Sequence, residues 1–330
     1  SEMCIRDRDI YCNFCMTKLN NAVNVCPNCG EHNRISSLPH HLRAGTLLNN
    51  RYYVGNSIGE GGFGITYVGY DTTLHIKVAI KEFFPNGWVN RSENTLSPRV
   101  SKNLNDPGAV FFEKGKKRFL DEARIPAQFD NESGIVKVRD VFEENNTVYI
   151  IMEYLDGITL KEHLQQKGVL TPGETLNLLM PIMKSLKNIH NRGLLHRDIS
   201  PDNIMLVDDR VILLDFGAAR QISANENRSL SIVLKPGYAP QEQYITKGKQ
   251  GPWTDVYALS ATMYKCITGQ VPEEALERIQ SDELKKPSEL NIPISKQLEI
   301  SLMRGLRVDP KERYQDMDEF IVSLQGFDME

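Results

Sequence analysis

The chain has 330 residues and a formal net charge of −4. That length exceeds one small core and suits a large two-lobed domain with a small module attached. Hydrophobic residues at 40% and charged residues at 25% exclude a disordered chain, and the slightly acidic balance speaks against a general nucleic-acid or anionic-membrane surface.

Residues 1–8 (SEMCIRDR) read as translated adapter sequence and are set aside, Cys4 with them. The start does not read as a signal peptide, and no apolar run reaches the roughly 18 residues of a span, so no membrane segment is expected in this chain. Four of the six cysteines cluster in residues 9–33, as Cys12-Asn13-Phe14-Cys15 and Cys26-Pro27-Asn28-Cys29. Paired CxxC knuckles without an export signal predict a metal site and the cytoplasm rather than disulfides. Each knuckle turns two thiolates toward one point, and four thiolates complete a tetrahedron around Zn²⁺. The unit resembles a zinc ribbon with a structural or partner-docking role. A redox dithiol fits less well, because the pairs are matched and lie outside a βαβ pattern. His32 is a substitute ligand the site does not need. Cys266 reads as a core residue.

Residues 34–50 read as a linker, in which His40 and His41 are expected to be solvated. Short β-branched or alternating runs then predict strands over Tyr52–Ser57, Ile65–Tyr70, Ile76–Lys81, Ile135–Phe142 and Val148–Met152. A helix is predicted over Lys116–Phe129, where Pro126 should kink or end it. Residues 83–115 fit no regular element and read as a surface insertion. Helical spacing returns over Leu160–Gln166, Gly173–Asn191, Thr254–Thr268, Ser295–Arg304 and Met317–Leu324. A strand-rich piece followed by a helix-rich piece predicts two lobes with a cleft between them.

The run Gly59-Glu60-Gly61-Gly62-Phe63-Gly64 matches GxGxxG. Strand patterns on both sides make it a hairpin, unlike the strand–helix setting of a dinucleotide fold. Glycines there let backbone amides approach phosphates closely. The next strand carries Val78-Ala79-Ile80-Lys81. A Lys on a core-facing strand needs anionic partners, which phosphates and the Glu122 carboxylate would supply.

On these motifs residues 51–326 resemble the bacterial serine/threonine protein kinases of eukaryotic type. The resemblance implies an α+β fold: a bilobal protein kinase with a β-rich lobe over 51–155 and a helical lobe over 156–326, preceded by the zinc ribbon. It implies ATP as cofactor, with Ile58, Thr66 and Ala79 against the adenine, Met205 as its floor, Met152 as gatekeeper and Glu153 to Leu155 as hinge. Thr66 replaces the usual Val.

His196-Arg197-Asp198 with Asn203 matches HRDxxxxN, and Asp215-Phe216-Gly217 follows. Phosphoryl transfer asks for positioning and charge cancellation. Asp198 would orient the substrate hydroxyl and take its proton. Asn203 and Asp215 would hold Mg²⁺, since a hard cation prefers oxygen ligands. Two positions depart from the family: Ser200 stands where Lys is usual, and Lys235 where Thr is usual. The two side chains meet beside the catalytic Asp in the family, so the sequence has exchanged them. Lys235 is then expected to supply the ammonium near the transferring phosphate, with Ser200 as the hydroxyl.

Glu242 is expected to pair with Arg313, and Asp255 to accept backbone bonds from the catalytic loop. Ser223, Ser229 and Ser231 lie in the activation segment, with Ser229 and Ser231 as phosphorylation candidates facing Arg197. Protein substrates, the chain itself among them, are the expected partners, and nucleic acid is not. A nucleotide-binding pseudokinase scaffold is the alternative, motivated by Ser200 and Pro126; a nucleic-acid-binding zinc protein is a distant third. Related chains often continue beyond the point where this one ends.

Overall fold

The structure is a computed structural model. It describes residues 10–20, 23–33, 38–92, 95–100, 106–129, 132–215, 220–221, 234–245 and 248–325. The chain divides into two compact units, Ser1–Ala127 with Lys137–Leu155, and Gln128–Val136 with Asp156–Glu330.

The first unit begins with a two-stranded pair, β1 (Ile10–Tyr11) and β2 (Lys18–Leu19). Six strands follow: β3 (Leu47–Leu48), β4 (Tyr52–Glu60), β5 (Gly64–Asp71), β6 (Ile76–Phe83), β7 (Val138–Glu144) and β8 (Thr147–Glu153), with helix α1 (Pro107–Ala127) between β6 and β7. They form one antiparallel sheet in the order β3-β4-β5-β6-β8-β7. Asn145 and Asn146 both take positive φ (52° and 57°), as a tight β7–β8 hairpin of this hand requires. The period-2 alternation gives each face its own core. Tyr52, Val54, Ile65, Tyr67, Val78, Ile80 and Tyr149 pack on one side. Phe83, Val148 and Ile150 meet Phe112, Phe119 and Ala123 of α1 on the other; that 7- and 4-residue spacing is one helical stripe.

Three expectations for this unit change. The segment 83–115 is not all irregular: α1 begins at Pro107. Arg91 from the same segment is buried and pairs with Glu82, itself fully buried on β6. Helix α1 ends at Ala127, one residue after Pro126 as that proline predicts, and so stops short of Phe129. The described part of the linker is not loose. Leu42 is buried, its N–H donates to Tyr67 Oη (3.0 Å), and the His40 carbonyl accepts from Arg91 Nη1 (2.9 Å). Tyr67 in turn donates to Glu82 (2.9 Å). One buried carboxylate thus gathers β5, β6, the insertion and the linker.

The second unit runs β9 (Ile158–Thr159), α2 (Leu160–Lys167), α3 (Pro172–Asn191), β10 (Leu194–Leu195), β11 (Ile204–Val207), β12 (Arg210–Leu213), β13 (Arg220–Gln221), α4 (Gln241–Tyr244), α5 (Pro252–Thr268), α6 (Ala275–Gln280), α7 (Lys296–Gly305) and α8 (Met317–Leu324). Thr159/Glu162 and Thr171/Glu174 close reciprocal caps on α2 and α3, satisfying orphan N–H groups at both starts. Helix α5 is buried over almost its whole length. Its hydroxyls turn inward onto its own carbonyls, Ser260 to Val256 (2.8 Å) and Thr262 to Ala258 (2.9 Å). A helix so apolar all round is an interior element on which others pack, here α3, α7 and α8. The predicted strand over Ile135–Phe142 is divided. Its start bridges to Leu213 in the second unit, and only Val138 onward joins the sheet of the first.

Truncating Arg91 would leave the Glu82 carboxylate buried without its cation. Arg91→Ala is expected to lower unfolding stability by about 3–5 kcal/mol, seen as a lower denaturant midpoint; an unchanged midpoint would show that the pair contributes nothing.

Candidate active site

In the first unit the β4–β5 hairpin presents the glycine-rich run. Gly61 N–H donates to Gly64 O (2.9 Å), and the carbonyls of Gly62 and Phe63 accept from Asn86 and Phe84 N–H (both 3.0 Å). A Cβ on Gly59 or Gly61 would meet nothing within 4 Å, and neither has positive φ. Packing and backbone conformation therefore do not demand glycine there. The open approach is what a phosphate chain lying against backbone amides needs, so the loop fits the expected nucleotide. A Cβ on Gly64, by contrast, would lie 2.5 Å from the Glu82 carbonyl. Thr66 and Lys81 are cross-strand partners on β5 and β6, and Ala79 pairs with Met152 on β8. Ile58 is half exposed on β4, and Glu153 Oε1 accepts from Lys137 N–H (3.0 Å). Leu155, placed in the hinge, is buried. The Glu122 side chain, expected to pair with Lys81, lies outside the described residues.

In the second unit the loop of His196, Arg197 and Asp198 hangs from Asp255 of α5. One Asp255 oxygen accepts from Arg197 N–H (2.8 Å); the other accepts from His196 N–H (2.8 Å) and binds His190 Nε2 (2.8 Å). Burial alone would raise this carboxyl; the His190 bond, the two histidines and the His196 amide outweigh it and hold it below the ordinary range. Arg197 takes φ 71° and Asp215 φ 53°, both in the left-handed region that non-glycine residues avoid. His196 is fully buried. Its Nδ1 accepts from Asp198 N–H (3.3 Å) and its Nε2 donates to Leu214 O (3.0 Å), which is the neutral ring. Burial pushes its pKa down against the pull of Asp255, Asp198 and Asp215.

Asn203 Nδ2 donates to both Asp198 O and Asp198 Oδ2 (2.8 Å each). That commits the amide's donor side to Asp198 and leaves its oxygen for a hard cation. Leu214 N–H donates to Asn203 O (2.8 Å), which sets Asp215 next in line. Met205 lies on β11. Lys235 Nζ donates to Ser200 Oγ (2.8 Å) and stands 3.3 Å from Asp198 Oδ1. Ser200 and Lys235 meet, and the ammonium lies beside Asp198. Ile199, Leu234, Lys235, Tyr238 and Gln243 line a small pocket at this spot. Phe216, Gly217, Ser223, Ser229 and Ser231 lie outside the described residues.

The sequence profile of the protein kinase domain matches residues 52–321. The chain belongs to the protein kinase family. A protein named "Probable serine/threonine-protein kinase" from Clostridium acetobutylicum is 31% identical over 86% of this chain and 40% of its own length. The serine/threonine-protein kinase PknA of Nostoc is 30% identical over 84% of this chain and 48% of its own. The kinase chain thus spans less than half the length of these relatives. Among solved structures the apo form of PpkA-294 is similar, with a TM-score of 0.74, 36% identity, 87% of this chain covered and all of that one.

Two supports of the kinase fold are in place. Arg313, fully buried, makes a paired contact to Glu242 (2.7 and 3.1 Å). Gln243 Nε2 donates to Arg197 O (2.8 Å) and holds the strained residue from its carbonyl side; nothing in the sequence singled it out beyond its place after Glu242.

The four cysteines of the N-terminal module converge. Cys12 Sγ lies 3.7 Å from Cys29 Sγ, and Cys15 Sγ 3.6 Å from Cys26 Sγ. Those separations fit a tetrahedron with metal–sulfur bonds of about 2.3 Å. His32 is not among the converging ligands. The module is seated on the sheet: Tyr11 packs on Tyr53 and Tyr70, and Asn13 O accepts from Asn56 N–H (2.9 Å) where β4 bulges away from β5. Met16 fills the space above Gly55, where a Cβ would be 2.1 Å from its methyl.

His196 must stay neutral in the folded kinase and gains a proton more readily when unfolded. Stability is therefore complete above its unfolded pKa, near 6.5, and falls as pH drops below it toward the lowered folded value. The expected slope is up to about 1.4 kcal/mol per pH unit. Unfolding free energies between pH 5 and 7 should show a flatter profile in His196→Gln; parallel profiles would contradict the assignment.

Proposed function

We propose that this kinase transfers the γ-phosphate of ATP to serine or threonine hydroxyls of proteins, itself included. The arrangement that carries the reading is Asp198 held by Asn203 on one side and approached by Lys235 on the other. ATP, when bound, supplies the phosphoryl group. Gly59 to Gly64 would take its phosphates against open backbone, with Lys81 on the neighbouring strand as their cation. In the first unit Ile58, Thr66, Ala79 and Met152 would contact the base and Glu153 to Leu155 would bond its edge, and Met205 of the second unit is assigned as its floor. Asn203 and Asp215 would hold Mg²⁺.

Asp198 orients the incoming hydroxyl and takes its proton as the oxygen attacks. Its carboxylate is already fixed by the Asn203 amide, so little reorganisation remains. Lys235 offsets charge on the transferring group from the side opposite to the family's usual Lys, and Ser200 holds the ammonium through its hydroxyl. The acceptor side chain enters beside Ile199, Leu234 and Tyr238. Glu122 is assigned as the carboxylate partner of Lys81.

We assign residues 51–155 and 156–326 as the two lobes, 9–33 as a zinc ribbon and 34–50 as the connection. Zn²⁺ is the metal that four thiolates in this spacing favour, and with all four positions filled it is structural. The module's apolar seat on β4 makes it a fixed part of the first unit, and its outer face is left as a docking surface for proteins. Four cysteines gathered as metal ligands and not paired as disulfides suit the reducing cytoplasm. Among the described residues no helix is long and apolar enough to cross a membrane.

Transfer of labelled γ-phosphate to the kinase and to an acceptor protein tests the reading. Asp198→Asn is expected to lower the rate by about 10²–10⁴-fold. Lys235→Ala should lower it by about 10²-fold, and Ser200→Lys with Lys235→Thr should recover part of that loss. Wild-type rates in both the single and the double variant would overturn the exchange; a wild-type rate in Asp198→Asn would overturn the proposed chemistry.

A further inference from the structure

The sequence placed His40 and His41 in solvent, and the structure does not. His41 is nearly buried and His40 about a quarter exposed. Both rings point their Nε2 at one carboxylate: His40 Nε2 lies 3.0 Å from Glu60 Oε1, and His41 Nε2 3.0 Å from Glu60 Oε2. Glu60 is the residue between the first two glycines of the phosphate-covering loop.

The three side chains are held from behind. His40 stacks on Phe84 (5.6 Å, 25°), and its carbonyl is tied by Arg91 of the buried Glu82 pair. The His41 ring meets Tyr67 edge-on (6.2 Å, 86°) and the His40 ring edge-on (4.7 Å, 79°). Two rings fixed by packing therefore converge on one flexible carboxylate. All the ligand atoms lie within 4.8 Å of one another. An ion with bonds of about 2.0–2.2 Å can be reached by each through shifts of about 1 Å.

We propose that His40, His41 and Glu60 form a second metal site, which takes a divalent transition cation and ties the glycine-rich loop to the segment ahead of the sheet. Two imidazole nitrogens and one carboxylate oxygen suit Zn²⁺, Co²⁺, Ni²⁺ or Cu²⁺; Mg²⁺ and Ca²⁺ would want more oxygens. Binding at Nε2 leaves the ring proton on Nδ1. For His41 that gives up the long contact from Leu38 N–H (3.4 Å), while the Glu60 carboxylate moves from hydrogen-bond acceptor to ligand. Three protein ligands leave a coordination position for water, so this site is open and exchangeable where the cysteine site is closed. A bound ion would hold Glu60, and with it the hairpin tip, against β5 and the linker, so that metal level would set how freely the loop moves over phosphates.

Cobalt titration of the full chain tests the proposal without using phosphotransfer. The first equivalent should give the intense sulfur-to-metal near-ultraviolet bands of a thiolate site. The second should give only weak visible bands, and metal analysis of the desalted protein should then find two equivalents. His40→Ala with His41→Ala, and separately Glu60→Gln, should retain the first equivalent with its thiolate bands and lose the second, or bind it at least tenfold more weakly. Wild-type chain that saturates at one equivalent overturns the proposal. So does a second equivalent that binds either variant as tightly as wild type.

Discussion

The Asp255 carboxylate is the constraint on which the loop carrying Asp198 depends. It is fully buried on α5, shut off from bulk solvent, so its charge must be satisfied by protein donors. The donors it finds are the amides of His196 and Arg197 and the ring of His190. Collecting two consecutive amides on one carboxylate forces the chain into a turn, and Arg197 takes up a backbone conformation that costs about 1–3 kcal/mol. Charge-assisted hydrogen bonds are strong enough to offset that. Asp198 is the next residue, so the strain is spent on aiming its carboxylate. From there the order passes through the Asn203 amide to Leu214 and to Asp215.

The same solution, a buried carboxylate answered by a fork of donors, recurs twice. Glu242 and Arg313 lock α4 to the chain after α7. Glu82 and Arg91, with Tyr67 and Tyr149, lock the sheet of the other unit to the insertion and the linker. Such pairs add little to stability compared with a well-packed apolar replacement, and their removal one partner at a time is costly. Their use here lies in geometry: each fixes an irregular segment that has no strand or helix of its own to hold it.

What was legible in the sequence follows from how local each feature is. The loop carrying Asp198 and Asn203 closes on itself within a few residues, so its order and spacing reveal it. The cysteine knuckles are equally local. The Lys235–Ser200 contact was readable because two departures from one pattern occurred together. Arg91 was hidden in a segment rich in proline and polar residues, where nothing marks one arginine as buried. His40 and His41 looked like linker residues because their partner, Glu60, lies nineteen or twenty positions away and was already accounted for by the glycine motif. Ile135 was grouped with a strand by its hydrophobicity, although it bridges to Leu213 instead; periodicity cannot tell which sheet a β-branched residue joins. The α1 start at Pro107 was missed because glycine and proline open it, two residues that read as loop.

The most direct measurement on this account is single-turnover phosphoryl transfer by Asp255→Asn, with nucleotide binding recorded alongside. An asparagine keeps the shape and volume but turns one acceptor into a donor, which faces an N–H whichever way the amide lies. Nucleotide affinity is expected to stay close to wild type and transfer to slow by about 10²-fold or more, the scale of a 1 Å misplacement. A variant that binds nucleotide and transfers phosphate at the wild-type rate would contradict it.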